Sequence, residues 1–265
     1  MLNGVVQICG EKLTTDEIKE ICSSVRSHQV TLLSLRKCKM SDRDFERLMR
    51  SIAKTTSVLQ LNLNLGVLST DERVLHLSDA LNLNRSIQSL FLHGNPLGER
   101  GLALLSKSLS LHPSIVNLDV GDCKLTDSCA KLLSNLLPPD GAKSGLKELV
   151  LSSNPGISEV GWSTLFCSIA ASSCLRSLSV DYNPAIGDIG ARMLAVIVAG
   201  SHSLQHLDME VCGVTNTAAK VFLDLFESYP TSLHELVLIG NSVSKKLLNE
   251  IETSLKHNHS SDDEN

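Results

Sequence analysis

Residues able to do chemistry are plentiful in this chain of 265 amino acids, but their spacings assemble no catalyst. The run GAKSG at 141–145 sets a lysine beside a serine, as phosphate loops do. It lacks the glycine that precedes the lysine in such loops, and no strand leads into it. Gly161-Trp162-Ser163 lacks the second glycine of a nucleophile elbow, and Trp162 is expected to pack helix against strand, as large aromatics do in cores. None of His202, His206 and His234 has the helical i, i+4 placement or the cysteine partners of a zinc site. His257 and His259 sit in the tail. Eight cysteines are scattered without CxxC pairs, which reads as reduced thiols in a cytosolic compartment. The expectation is no catalytic residue, no metal and no cofactor.

What remains is a set of acids and aromatics. Asp119, Asp122, Glu148, Asp181, Asp208, Glu210 and Glu235 all fall from residue 119 onward, and Phe91 and Tyr182 supply rings. Carboxylates without nearby lysine or arginine, beside an aromatic anchor, are suited to holding a basic segment of another protein. Acidic residues on a hydrated surface also serve plain solubility. The choice depends on the elements that carry them.

Those elements repeat. The stretch IQSLFLHGNPLGERGLALLSKSL at 87–109 holds the pattern L-x-L-x-x-N-x-L at Leu90, Leu92, Asn95 and Leu97. The same pattern recurs at Leu33, Leu35, Cys38 and Met40, and at Leu118, Val120, Cys123 and Leu125. With one extra residue it recurs at Leu149, Leu151, Asn154 and Ile157, and at Leu178, Val180, Asn183 and Ile186. Leu207, Met209, Cys212 and Val214 follow, then Leu236, Leu238, Asn241 and Val243; weaker copies start at Val6 and Leu61, with Glu11 and Gly66 in the turn position. The apolar residue three places before each first leucine gives the series Val30, Val58, Ile87, Ile115, Leu146, Leu175, Leu204 and Leu233, at intervals of 28, 29, 28, 31, 29, 29 and 29 residues. A fixed period of this length is the signature of a stack of repeats.

Each repeat reads as a short strand, a turn and a helix. Alternation predicts strand leucines that point inward and stack on those of the next repeat. Asn or Cys at the turn is expected to hydrogen-bond backbone groups left unpaired at the strand end, forming a buried ladder. Ser41, Thr126, Ser158 and Thr215 are expected N-caps. Small residues recur at Gly101, Cys129, Gly161, Gly190 and Ala218, where they let a helix approach closely.

A period of 28 to 29 residues, a helix in each unit and mixed Asn and Cys at the turn make the chain similar to the ribonuclease-inhibitor-like leucine-rich repeats. The resemblance implies an α/β leucine-rich-repeat solenoid: a curved arc with parallel strands on its concave side, helices on its convex side, and a protein held on the concave face. The expected organisation is one repeat domain over 1–256, of about nine units with capping units at both ends, and a disordered acidic tail at 257–265. The proline- and glycine-containing loop at 138–145 is expected to protrude and is a second candidate binding element.

Composition limits the partners. The net charge is −5 with no basic block, which excludes general nucleic-acid or anionic-membrane affinity. No run approaches the roughly twenty apolar residues of a membrane span, and the first twenty residues lack the pattern of a secretory signal. The reading is a cytoplasmic, monomeric, non-enzymatic scaffold with an unknown protein partner. Phe91, Asp119, Asp122, Glu148, Asp181, Tyr182, Asp208, Glu210 and Glu235 form its partner-binding set. The alternative is a regulator of a small GTPase, implied only by similarity to Ran GTPase-activating proteins, with Arg36 as the one arginine on that face.

Overall fold

A strand of three residues has too few ladder bonds to stand alone, so each must be held by neighbours on which its apolar side chains stack. The computed structural model describes residues 4–137 and 145–260, and within it such strands occur in two compact units divided after Lys124.

In the first unit, strands β1 (Val5–Gln7), β2 (Leu32–Ser34), β3 (Gln60–Asn62), β4 (Ser89–Phe91) and β5 (Asn117–Asp119) pair in parallel in chain order. Helices α1 (Thr15–Arg26), α2 (Asp42–Ile52), α3 (Asp71–Leu83) and α4 (Gly98–Leu111) connect them. The register runs Val6, Leu33, Leu61, Leu90, Leu118, so the two weak copies, with Glu11 and Gly66 at their turns, hold the same register as the strong ones. Leu33, Leu61 and Leu90 are fully buried; burying such a side chain is worth about 1.5–3 kcal/mol.

The second unit opens with α5 (Asp127–Ser134) and continues with β6 (Glu148–Val150), α6 (Glu159–Ala170), β7 (Ser177–Ser179), α7 (Gly187–Gly200), β8 (His206–Asp208), α8 (Asn216–Ser228), β9 (Glu235–Val237) and α9 (Lys245–Ser260). Its register stacks Leu149, Leu178, Leu207 and Leu236. Trp162 is fully buried with its ring 5.6 Å from that of Phe166, and its indole N–H has no hydrogen-bond partner among the described residues.

Helix starts follow two rules. Thr14, Ser41, Thr70, Ser158 and Thr215 cap with their side chains. In contrast α4 and α7 begin at glycines, whose N–H groups donate to the Cys123 and Cys212 carbonyls of the following turn. The small residue in the first turn is required by crowding at that turn. A Cβ on Gly190 would lie 2.7 Å from Cγ2 of Ile186 and 3.1 Å from Cε2 of Phe166, so the close approach is to the entering turn and to α6, not to the strand.

The turn ladder is buried as expected. Asn95, Asn154 and Asn183 are fully buried; Asn183 donates to the carbonyls of Leu151 and Val180 and accepts from the Asn154 N–H. Cys123 and Cys212 take the same place, donating to the Leu92 and Val180 carbonyls at 3.2 and 3.1 Å.

Three expectations are corrected or left open here. Helix α9 runs to Ser260, four residues past the boundary placed at 256. Asn258 anchors it by donating to the Phe226 and Tyr229 carbonyls and accepting from Thr231 N–H. The last strand is not sealed by α9, because Leu236 stays half-buried. The loop at 138–145, apart from buried Gly145, and the tail from 261 onward lie outside the described residues.

Candidate partner-binding face

The residues before, between and after the inward pair of each strand form the strand face. In the second unit the register sets Ser179 beside Asp208 and Ser177 beside His206, and Tyr182 N–H donates to the Glu210 carbonyl, so Asp181 and Glu210 occupy equivalent places on successive strands. Neighbouring strands lie about 4.8 Å apart, and like charges at that spacing repel.

The structure relieves this crowding with neutral donors. The Ser152 hydroxyl donates to Asp181 Oδ1, the Tyr182 hydroxyl donates to Glu210 Oε1 at 2.8 Å, and Glu210 N–H donates to Asp208 Oδ1 at 3.0 Å. Burial, reinforced by Asp181 and Glu210, raises the Asp208 carboxyl above its ordinary range, although the Glu210 N–H and His206 pull it down. The carboxylate of Glu210 likewise raises the Tyr182 phenol. Among the described residues no lysine or arginine lies within 4 Å of Asp181, Asp208 or Glu210.

The expected set is less uniform than its sequence implies. Glu235 faces His206 Nδ1 at 3.0 Å, whereas Glu148 is exposed. In the first unit Asp119 accepts from Gly121 N–H and lies 3.5 Å from His93 Nδ1, and Phe91 is half-buried. Asp122 belongs to a turn, not a strand. Two histidines therefore accompany acids that the search for lysine and arginine left unpartnered.

A periodic feature escaped the sequence reading. The residue just before each turn Asn or Cys has a left-handed backbone: Lys37 (φ 58), Asp122 (φ 47), Ser153 (φ 55), Tyr182 (φ 57) and Val211 (φ 52), with Gly94 (φ 70) and Gly240 (φ 73) in the same place. The aligned glycines at Gly10, Gly94 and Gly240 were the available signal. For a β-branched residue such as Val211 this conformation is strained. Tyr182 remains 47% exposed at this turn.

Burial pushes the Cys123 and Cys212 thiols up to about 12, and among the described residues no three His, Cys, Asp or Glu side chains converge as a metal site would need.

Comparison with known proteins places the chain. Leucine-rich repeat-containing protein 73 of Rattus norvegicus is 52% identical over 251 residues, covering 95% of this chain and 79% of that protein. The chain belongs to the leucine-rich repeat-containing protein 73 family. The model of the family described as Leucine Rich repeat matches residues 171–195, which span β7 and the start of α7. Ribonuclease inhibitor of Mus musculus is 32% identical over 154 residues, covering 56% of this chain and 33% of that one. A solved structure, the leucine-rich repeat-containing protein LegL7 from Legionella pneumophila, superposes with a TM-score of 0.57 at 21% identity, covering 95% of this chain and 79% of that chain. This last likeness concerns the fold alone. In these findings the expected α/β leucine-rich-repeat fold stands, and no described helix is long and apolar enough to cross a membrane.

Proposed function

We propose that the chain is a non-enzymatic interaction scaffold whose strand face takes a basic segment of a protein partner. Membership of a leucine-rich-repeat family supports a role in holding other proteins, and the name of one relative, ribonuclease inhibitor, denotes action on another protein. The observation that carries the finer reading is the carboxylate group of Asp181, Asp208 and Glu210. It is kept at strand spacing by neutral donors, without a lysine or arginine partner, around the exposed ring of Tyr182. A positive side chain arriving there offsets the burial, and the repulsion from Asp181 and Glu210, that raise the Asp208 pKa, and the Tyr182 ring offers it a face. Glu148 and Glu235 extend this patch in the second unit; in the first unit, Phe91, Asp119 and Asp122 are proposed as a partner-contacting set of their own.

The test uses a panel of lysine- and arginine-rich peptides with scrambled acidic controls, followed by fluorescence anisotropy. Binding by the native chain should weaken as salt shortens the screening length below about 8 Å, and the Asp181→Lys/Glu210→Lys variant should lose it. Equal binding by the native and reversed chains, both folded, would remove the acidic patch from the proposal.

A further inference from the structure

At the repeat junctions within each unit, the same N–H groups cross to the next strand. Leu63 and Leu65 donate to the carbonyls of Phe91 and His93, Leu92 and Gly94 to Asp119 and Gly121, Val180 and Tyr182 to Asp208 and Glu210, and Met209 and Val211 to Val237 and Ile239. The turn adds two more, as when Cys212 N–H and Val214 N–H both donate to Asn241 Oδ1. In β9 the corresponding donors are the N–H groups of Leu238, Gly240, Asn241 and Val243, and none has an acceptor among the described residues. Beside them runs an apolar groove formed by Leu236, Leu248, Ile251 and Leu255. Leu207, one repeat earlier, has 0% exposure, whereas Leu236 is only half-buried.

The outer edge of β1 is the complement. Ser34 and Arg36 of β2 and its turn accept from Ile8 and Gly10; one repeat earlier the equivalent carbonyls, those of Gln7 and Cys9, accept from no backbone donor among the described residues. A groove of mixed lining runs alongside, with Val6, Ile8, Leu13 and Ile21 on its apolar part and Glu17 and Glu20 on its polar part. The turn position that holds Asn or Cys in most other repeats is here Glu11, which is exposed.

We propose that a second copy of this chain docks head to tail, its β1 adding in parallel to β9 and continuing the register of the interior junctions. This inference is independent of the acidic face, and replaces the monomer expected from the sequence. Leu236 then lies opposite Val6 of the second copy, as Leu207 lies opposite Leu236 in one chain. Leu238 N–H donates to the Gln7 carbonyl and Gly240 N–H to the Cys9 carbonyl. The Glu11 carboxylate accepts from Asn241 N–H and Val243 N–H, as Asn241 Oδ1 does one repeat earlier. A carboxylate is a stronger acceptor than an amide oxygen, which gives a reason for an acid in this one turn. A second copy fits better than an unrelated strand, because β1 supplies acceptors, apolar pair and turn acceptor at the repeat's own spacing. Contact between two different patches of one surface is heterologous, so each docked copy leaves another edge of each kind available.

The test is analytical ultracentrifugation of the full chain with two half-blocked variants, Val6→Lys on β1 and Leu236→Lys on β9. Both positions are half-buried, so the lysine stems can reach water in the single chain; circular dichroism checks folding. The native chain should form species larger than a dimer as concentration rises. Each variant alone should sediment as a monomer, and an equimolar mixture should give a dimer and nothing larger. Glu11→Leu should weaken association by about tenfold, the worth of a charged hydrogen bond. Amide exchange of the native chain reads the same edge without mutation: Leu238 and Gly240 should exchange fast in dilute samples and slowly in concentrated ones. A native chain that stays monomeric throughout, a mixture that gives no dimer, or slow exchange of these amides in a dilute monomer would each overturn the proposal.

Discussion

Along β7 and its turn, Leu178 and Val180 have 0% exposure, while Ser177, Ser179 and Asp181 between and beside them stay half-exposed. The inward row is nearly one residue type: Leu33, Leu61, Leu90 and Leu118 in the first unit, Leu149, Leu178, Leu207 and Leu236 in the second. The outward row keeps no type, reading Gln7, Ser34, Asn62, Phe91 and Asp119, then Val150, Ser179, Asp208 and Val237. The same backbone register holds both rows, so their difference comes from burial. Packing leaves one shape admissible on the inner side, whereas water accepts almost any polar or small group on the outer side. Specific binding can therefore be written on the outer row without disturbing the stack.

The largest expected effect strikes the inner row. Leu178→Ala should cost about 2–5 kcal/mol in chemical denaturation by leaving a cavity, and Ser179→Ala less than about 0.5 kcal/mol. Similar losses at both would break the comparison. Next comes the turn ladder: Asn183→Ala strands the Asn154 N–H and takes one of two donors from each of the Leu151 and Val180 carbonyls, which keep Asn154 Nδ2 and Cys212 Sγ, and should cost about 1–3 kcal/mol.

His112 sharpens the comparison through pH. Its Nδ1 accepts from Ser114 and Ile115 N–H, its Nε2 is buried without a partner among the described residues, and burial, with Arg85 adding repulsion, lowers its pKa to about 4 from 6.5. The unfolded chain takes up a proton below pH 6.5 while the folded chain resists until about 4. This site's contribution to stability is thus complete above 6.5 and is lost as pH falls through that window. One repeat earlier Asn84 accepts from the equivalent N–H groups and also donates to the Ile52 and Thr55 carbonyls. His112→Asn should flatten this part of the pH profile, measured as melting temperature between pH 4 and 7.

Smaller effects belong to the turn and the outer row. Val211→Asn should raise stability by about 1 kcal/mol, since Asn tolerates the left-handed backbone that a β-branched residue resists. Asp181→Lys/Glu210→Lys should change stability by less than about 0.5 kcal/mol. It should also lower the Asp208 pKa, followed by carboxyl NMR titration, because two like charges that raise it are gone.

Period, register and the buried turn residues were all legible in the chain, because inward packing forces the same apolar type at the same spacing in every repeat. The acids of the outer row were legible as a set, but their partners were not. Ser152 with Asp181, Tyr182 with Glu210, His206 with Glu235 and His93 with Asp119 are 26 to 29 residues apart, and no local pattern marks them.

The sequence by itself determined the repeat and the residue types that fill its core, since burial penalises every alternative at those positions. Only the tertiary structure decided three other features. It set the left-handed backbone before each turn, which side chains as different as Lys37, Tyr182 and Val211 adopt because the strand-to-turn geometry demands it. It buried Arg73 under one turn, where the guanidinium meets Asp42, the Val67 and Met40 carbonyls and the Phe45 ring. It also left the edges of β1 and β9 with backbone groups unmatched among the described residues. A hydrogen bond between strands belongs to two repeats at once, so whether it is made depends on which strands meet and not on the residues of either one.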